Sequence, residues 1–376
     1  MNILICGDFS PVGKLLDLFE KKLFEQVLGD VKPVVEKNDY SIVNFETCVA
    51  KSGDTPIKKY GPNLCCTARA IDALKWAGFN CVTLANNHFR DFGKNGVLQT
   101  IDAIKKADMD YVGGGKNFEE ASNILFKQVY NETIAIINVC EHEFSIAIGE
   151  NEGSNPIDVI RVYQDIQDAK KKADYVLVIV HGGHEHFQLP SLRMQKTYRF
   201  FIDVGADAVV NHHQHCFSGF ETYKRKPIFY GIGNFCFDNF SKDKNRESPW
   251  YFGYMVHLFF SKEKIDFEIF PYSQCEKSLS IRLLEKNAFD RKIESLNEII
   301  ANSNKLKAEC DKFYQEKHII YEMAFEPYKG KIARKLFKMG LLPRFLTKEE
   351  SLYQLINIIE CESHRDRVLQ ILKGKI

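Results

Sequence analysis

The sequence predicts an α/β fold with a largely buried sheet, followed by a helical region. Short runs rich in Val, Ile and Phe alternate with amphipathic stretches over residues 1–275 of the 376-residue chain. Beyond Gln274 this alternation ends, and densely charged segments with helical spacing follow. We therefore predict two domains, 1–275 and 276–376.

Each predicted strand is bounded by Gly, Asp, Asn or Pro, residues that commonly end extended segments. The predicted strands are Asn2–Cys6, Tyr40–Phe45, Asn80–Leu84, Ile124–Val129, Thr133–Val139, Tyr175–Val180, Ala208–Val210, Pro227–Gly231 and Trp250–Phe260. The predicted helices are Ala68–Ala77, Gly96–Ala107, Ile157–Ala173 and Leu192–Val204, then Leu283–Ile300, Lys305–Met323 and Glu350–Leu372 in the C-terminal region.

The composition is typical of a soluble globular protein, with 45% hydrophobic and 27% charged residues. A formal net charge of +1 gives no reason to expect a nucleic-acid partner. The 11 cysteines include no CxxC pair, so we expect reduced, buried thiols and a cytoplasmic location. The first ten residues lack a basic segment and indicate a strand instead of an export signal. No apolar run reaches the roughly 18 residues of a transmembrane helix.

Polar side chains suited to metal binding follow five of the predicted strands. In open α/β sheets such groups gather at the carboxyl ends of strands. Carboxylate, amide and imidazole together favour a hydrolytic Zn, Mn or Fe pair over a thiolate site. A shared carboxylate between two metals would activate a water for attack. The residues at the strand ends are Asp8; Asn44 and Glu46; Asn86, Asn87 and His88; His181; and His212, His213 and His215.

Each of these residues also has a structural interpretation. Asp8 is equally suited to capping the next helix, predicted at Val12–Leu28, and Glu46 to a surface position. The pair Asn86–Asn87 fits a turn, and His88 fits a hydrogen-bonded structural histidine. The segment His212–His215 is harder to explain structurally, because three imidazoles in four positions bury poorly without partners.

Five ordered segments resemble the CapA family of capsule, or poly-gamma-glutamate, biosynthesis proteins. The resemblance covers roughly residues 1–260 and leaves the helical region outside. The segments are GDF, NFET, LANNHFRDFGKNGVLQTIDAIKKADMDYVGGG, VHGGHEHFQLPSLRMQ and VGADAVVNHHQHCFSGFETYKRKPIFYGIGNFCFD.

The resemblance implies a four-layer α/β/β/α metallophosphatase-like sandwich and a set of residue roles. It places one metal with Asp8 and His215, and a second with Asn87, His181 and His213, with Glu46 shared between them. His88 would donate a proton to the leaving group or stabilise the developing charge. Glu185 would orient His181 or contact substrate. Asn44, Asn86 and Asn234 would support the site wall or contact substrate.

The implied function is biosynthesis of a cell-surface polymer by a metal-dependent hydrolase or transferase. Its substrate would be poly-gamma-glutamate, a polysaccharide or a precursor. One or two divalent ions (Mn, Zn, Fe or Mg) would supply a metal-activated hydroxide for attack on a phosphoester or an amide. Two alternatives stay open: a phosphodiesterase or nucleotidase unrelated to capsule, and a non-catalytic scaffold with the same fold.

Four departures from the superfamily pattern keep the scaffold alternative open. Ser10 stands where an Asp-x-His motif would place its histidine, and Glu46 replaces a bridging aspartate. Gly182 replaces a tryptophan, and Asn211 replaces a glycine. The first metal therefore lacks one imidazole.

The segment 329–346 is basic and amphipathic. This pattern predicts peripheral contact with an anionic membrane surface. The alternative is a helix packed on the core with solvated lysines.

Overall fold

The computed structural model describes residues 1–238, 247–328 and 330–345, with residues 352–353, 355–356, 359, 364, 368 and 372 beyond them. The strands are β1 Asn2–Phe9, β2 Tyr40–Phe45, β3 Cys48–Val49, β4 Cys65–Cys66, β5 Cys81–Thr83, β6 Asp110–Val112, β7 Gly114–Gly115, β8 Leu125–Val129, β9 Glu132–Cys140, β10 Gly153–Ser154, β11 Tyr175–His181, β12 Ala208–His212, β13 Phe220–Tyr223, β14 Lys226–Phe229, β15 Asn234–Cys236, β16 Phe252–Phe260, β17 Ile265–Gln274 and β18 Ile281–Leu283. The helices are α1 Lys14–Glu20, α2 Phe24–Leu28, α3 Lys32–Glu36, α4 Arg69–Trp76, α5 Gly93–Lys106, α6 Phe118–Ala121, α7 Val159–Lys170, α8 Leu192–Asp203, α9 Asp290–Ala301, α10 Ser303–Phe325 and α11 Lys331–Lys338, and Pro249–Tyr251 forms a 3₁₀ turn.

Two large sheets form the body of the molecule. The first has the order β18-β17-β16-β1-β2-β5-β6, with β15 also paired to β1, and the second has the order β13-β14-β12-β11-β9-β8. Strands β1, β2, β5 and β6 run parallel, as do β9, β11, β12 and β14. The carboxyl ends of each parallel set therefore lie along one edge of its sheet.

The two sheets pack against each other through aromatic side chains. Tyr175 of the second sheet lies 5.0 Å from Phe260 of the first, ring centre to ring centre, and Phe229 lies 5.1 Å from Phe267. Helices cover the outer faces, with α1, α4 and α5 on the first sheet and α7 and α8 on the second. This arrangement confirms the predicted α/β fold and its four layers.

All nine predicted strands are present, but the strand region extends further than predicted. No strand was predicted at β17 or beyond Gln274, yet β17 pairs with β16 from Ile265 to Ser273 and β18 follows it. The residues Ile265–Ile269 alternate between apolar and polar side chains. A period of two was therefore present at the start of β17 and was overlooked. The single helix predicted at Val12–Leu28 is also wrong, because the chain forms α1 and α2 there.

The described chain divides into compact units at residues Met1–Lys307 and Ala308–Ile376. The helices predicted at Leu283–Ile300 and Lys305–Met323 are present as α9 and α10. The helix predicted at Glu350–Leu372 lies largely outside the described residues, and the domain boundary after residue 275 stays a prediction.

The cysteines follow the prediction of buried thiols. Of the ten cysteines in the described part of the chain, all but Cys65 are buried. Among the described residues, no helix combines the length and apolarity needed to cross a bilayer.

Candidate metal centre

The predicted strand ends converge on one buried cluster. Strands β1, β2 and β5 bring their carboxyl ends from the first sheet, and β11 and β12 bring theirs from the second. The residues placed together in this way are Asp8, Asn44, Glu46, Asn86, Asn87, His88, His181, His213 and His215, all buried.

Asp8 is aimed into the cluster by an irregularity in β1. The pairing of β1 with β2 shifts register between Cys6 and Asp8, and such bulges redirect side chains. The preceding Gly7 is needed here, because a Cβ at that position would lie 1.9 Å from the carbonyl oxygen of Gly233. Asp8 does not cap α1, whose N-cap residue is Gly13 without a side-chain hydrogen bond. The ligand interpretation of Asp8 is therefore favoured over the cap.

Glu46 is fully buried, and within the described residues neither carboxylate oxygen has a hydrogen-bond partner. Its Oε1 lies 3.5 Å from Nε2 of His181 and 3.7 Å from Nε2 of His215. Burial raises the pKa of the Glu46 carboxyl well above its usual range. A buried carboxylate without donors is expensive unless a cation occupies its lone pairs.

His181 lies at the centre of a chain of polar contacts. Its Nε2 is 3.1 Å from Oδ1 of Asn87 and 3.0 Å from Nδ1 of His213. Its Nδ1 is 3.1 Å from Nδ2 of Asn44. Burial lowers the pKa of His181 well below its usual range. The ring is therefore neutral at pH 7, the form in which imidazole binds a metal.

His213 and His215 leave β12 on an unusual backbone path. Their φ angles are +87° and +55°, a region that non-glycine residues enter rarely and often at functional sites. The backbone N–H of His213 donates to Oδ2 of Asp8 at 3.2 Å. Nδ1 of His215 lies 2.9 Å from Oδ1 of Asn234, whose amide donates back to the His215 carbonyl oxygen at 3.2 Å.

The charges of Asp8, Glu46 and His215 offset one another. Burial opposes a charge on His215, but Glu46 and Asp8 outweigh it and raise the pKa of that imidazole to about 10. Burial likewise opposes the charge on Asp8, but His215, 3.6 Å away, and the other nearby imidazoles hold the pKa of Asp8 below its usual range. Without a metal, a proton on His215 thus supplies the positive charge.

The ligand atoms form two groups that share Glu46. Possible ligand atoms of Asp8, Glu46 and His215 lie within 4.8 Å of one another, and so do those of Glu46, His181 and His213. A third group, of Glu185, His213 and His215, crosses the division between these two. The assignment of each ligand to one of two metals stays a prediction. The unpartnered oxygens of Glu46 and the set of carboxylate and imidazole donors fit one or two divalent cations.

Asn44 and Asn86 support the ligands without joining these groups. The amide of Asn44 donates to Oδ1 of Asp8 at 2.7 Å, and its oxygen accepts from Thr83 at 3.0 Å. The amide of Asn86 donates to the carbonyl oxygen of Phe45 at 2.9 Å, and its oxygen accepts from the backbone N–H of His88 at 3.0 Å.

His88 belongs to a buried ion-pair network that the sequence analysis did not identify. Its Nδ1 lies 2.6 Å from Oδ2 of Asp91, and Oδ1 of Asp91 pairs with the ammonium of Lys59. The backbone N–H of Leu64 also donates to Oδ2 of Asp91, at 2.6 Å. Burial lowers the pKa of His88. The sequence could have indicated the pairing of His88 with Asp91, which lie three residues apart. It could not have indicated Lys59, which comes from a distant loop.

Two glutamates stand at the mouth of the site. Glu143 lies 3.7 Å from Nε2 of His213 and accepts from the amide of Asn87 at 3.3 Å. Glu143 comes shortly after β9, so a search for polar residues at the carboxyl ends of strands would also have found it. Glu185 is exposed, and its carboxylate lies within 4.8 Å of ring nitrogens of His213 and His215. The predicted role of orienting His181 stays a prediction.

The departures from the superfamily pattern have distinct structural settings. Ser10 is fully buried, and its hydroxyl has no hydrogen-bond partner among the described residues. Asn211 donates to the carbonyl oxygens of Gly182 and Tyr230, both at 2.9 Å. Asn211 therefore stabilises the turn between β12 and the neighbouring strands and replaces no ligand.

The chain is similar to known bacterial proteins of capsule synthesis. A family model described as "Bacterial capsule synthesis protein PGA_cap" matches residues 2–239. The chain is 34% identical over 246 residues to "Capsule biosynthesis protein CapA" of Bacillus anthracis, covering 63% of this chain and 60% of that protein. It is 32% identical over 236 residues to "PGA biosynthesis protein CapA" of Bacillus subtilis (strain 168), covering 62% of each. A solved phosphatase structure from Mycoplasma pneumoniae has a TM-score of 0.43 at 17% identity, covering 72% of this chain and 92% of that one.

Proposed function

The chain belongs to the bacterial capsule synthesis family PGA_cap, and we propose that it acts in cell-surface polymer biosynthesis as a metal-dependent hydrolase or transferase. The observation that carries the proposal is the buried carboxylate of Glu46, which no described residue satisfies. Such a group destabilises the fold even beside the charged ring of His215, and a bound cation would offset that cost.

The residues that would hold divalent ions are Asp8, Glu46, Asn87, His181, His213 and His215. A bound ion supplies Lewis acidity and lowers the pKa of a bound water to about 7. The chain's own residues then fix the ligand set. Asn44 holds Asp8 in place, and Asn234 orients the ring of His215. Such supporting contacts tune ligand orientation and affinity.

His88 is proposed as the proton donor to the leaving group. Its Nδ1 is held by Asp91, which leaves Nε2 as the nitrogen for proton transfer. Burial lowers the pKa of the ring, so Nε2 takes up a proton from solvent before it gives that proton to the leaving group. The ammonium of Lys59 pairs with the other carboxylate oxygen of Asp91 and so holds Asp91 in place. The ring of His88 is therefore oriented before substrate arrives, which general acid catalysis requires.

The proposed substrate is a polymer such as poly-gamma-glutamate, a capsular polysaccharide or a precursor of either. The chain spans about 60% of the length of the curated relatives it matches. Both relatives are named for capsule or PGA biosynthesis. The bond cleaved or transferred is proposed to be an amide or a phosphoester.

Activity measurements test this proposal. Full-length protein is incubated with Mn²⁺ and either poly-gamma-glutamate or a model phosphodiester, and products are followed by mass spectrometry. We expect turnover of one substrate that chelator abolishes and His88→Ala lowers by about 10²–10⁴-fold. His318→Gln is the control, because this exposed imidazole lies on α10, outside residues 2–239 that the family model matches. Equal turnover by wild type and His88→Ala would contradict the proposal.

A further inference from the structure

We propose that α11 and the turn after it form a docking surface for an anionic lipid bilayer. This surface, called the α11 surface here, comprises Lys331, Ile332, Arg334, Lys335, Lys338, Met339 and Leu341. It lies within the segment 329–346 that the sequence predicted to contact membranes, of which 330–345 are described and 329 and 346 lie outside the described residues.

The helix ends in a defined turn that presents its last residues outward. Gly340 follows it with φ +71°, and its backbone N–H donates to the carbonyl oxygen of Phe337 at 2.9 Å. The backbone N–H of Leu341 donates to the carbonyl oxygen of Leu336 at 3.0 Å. These are the features of a Schellman-type helix end, so the chain direction is fixed after Met339.

A small aromatic cluster determines which face of the helix points inward. The ring of Phe337 is 1% exposed and lies 5.5 Å from the ring of Tyr328. The hydroxyl of Tyr328 donates to the carbonyl oxygen of Pro343 at 2.6 Å, and the backbone N–H of Phe345 donates to Glu326 at 3.0 Å. The Phe337 face is therefore the packed face of α11.

Another face carries large apolar side chains in contact with solvent. Ile332, Met339 and Leu341 are 78%, 60% and 62% exposed. Ile332 and Met339 are seven residues apart and so project from the same side of the helix. Their spacing from Phe337 places them away from the packed face. The structure thus shows that core packing does not account for this apolar stripe.

Cations flank the apolar stripe. Lys331, Arg334, Lys335 and Lys338 are exposed, and the sequence has no acidic residue between 330 and 345. Each cation near an anionic leaflet strengthens binding about fivefold. Exposed apolar side chains beside cations fit the boundary between lipid head groups and acyl chains. A soluble polyanion would match the cations but would leave Ile332, Met339 and Leu341 in water.

Vesicle co-sedimentation of the full chain tests this proposal. Phosphatidylcholine vesicles are compared with vesicles containing one-third phosphatidylglycerol, at low and at raised salt. We expect binding to the anionic vesicles that weakens as salt is raised. Ile332→Ser/Met339→Ser/Leu341→Ser should weaken partitioning about tenfold. Lys331→Glu/Lys335→Glu should weaken it by more than about twentyfold.

Ile160→Ser is the matched control, because Ile160 on α7 is 72% exposed and lies outside the α11 surface. This variant should bind as wild type does, and circular dichroism should show equal folding of all variants. The proposal is overturned if wild type does not bind anionic vesicles, or if the serine triple variant binds them as well as wild type.

Discussion

The carboxylate of Glu46 lies 3.5 Å from Nε2 of His181, and no described residue donates a hydrogen bond to either of its oxygens. Glu46 directly follows β2 of the first sheet, and His181 ends β11 of the second. The contact therefore joins the two sheets at their carboxyl edges. A carboxylate and a neutral imidazole placed in this way suit a shared cation.

Replacing Glu46 separates a metal-binding role from a structural one. Glu46→Gln removes a buried charge without changing the shape of the side chain. We expect the chelated protein to keep its free energy of unfolding or gain up to about 2 kcal/mol, because burial of the carboxylate is unfavourable. Urea unfolding in chelator measures this. A loss of more than about 2 kcal/mol would indicate a structural role for the carboxylate.

Metal should stabilise the native fold by mass action. At a free metal concentration of 100 times Kd, the expected gain is about 2.7 kcal/mol, since the assembled ligand set exists only in the folded chain. Thermal unfolding with and without Mn²⁺ or Zn²⁺ measures the effect. His181→Ala should abolish the shift, and His318→Gln should retain it. A shift of equal size in His181→Ala would refute binding at this cluster.

Because Lys59 and Asp91 form an ion pair, we predict that the losses in free energy of unfolding on replacing them are not additive. Both side chains are almost fully buried. Lys59→Met leaves the Asp91 charge uncompensated, which should destabilise the protein by about 3–5 kcal/mol. Lys59→Met/Asp91→Asn should recover part of that loss. Urea unfolding of both single variants and the double variant gives the coupling energy, and strictly additive losses would contradict the buried pair.

Gly113 is predicted to be essential for the wall of the site. Its φ is +85°, and a Cβ there would lie 1.9 Å from Oδ1 of Asn138. That oxygen accepts from the backbone N–H of Ala85, just before the Asn86–Asn87 pair. Gly113→Ala should therefore destabilise the protein by more than about 2 kcal/mol and weaken metal binding.

Gly149→Ala is the control for this prediction. Gly149 also has a positive φ, +55°, but a Cβ there would meet no atom within 4 Å. Gly149→Ala should therefore lower the free energy of unfolding only by the backbone strain, about 1–2 kcal/mol. Thermal unfolding compares the two variants, and equal losses would show that the contact with Asn138 is unimportant.

The sequence predicted the strand ends because their signals are local. An apolar run followed by Asp8 or His181 marks both a parallel strand and the edge at which its last side chain appears. Lys59 could not be found in this way, because its pairing with Asp91 depends on the path of an exposed loop. Strand β17 was missed although Ile265–Ile269 alternate between apolar and polar residues, because the alternation is short and Pro271 interrupts the run.

Metal content of the purified protein tests the central claim most directly. Protein prepared without chelators is analysed for Mn, Zn, Fe and Mg, together with His213→Ala and the control His318→Gln. We predict at least one equivalent of divalent metal per chain in wild type and in His318→Gln, and little in His213→Ala. Metal-free wild type, or His213→Ala with the wild-type content, would contradict the proposed centre.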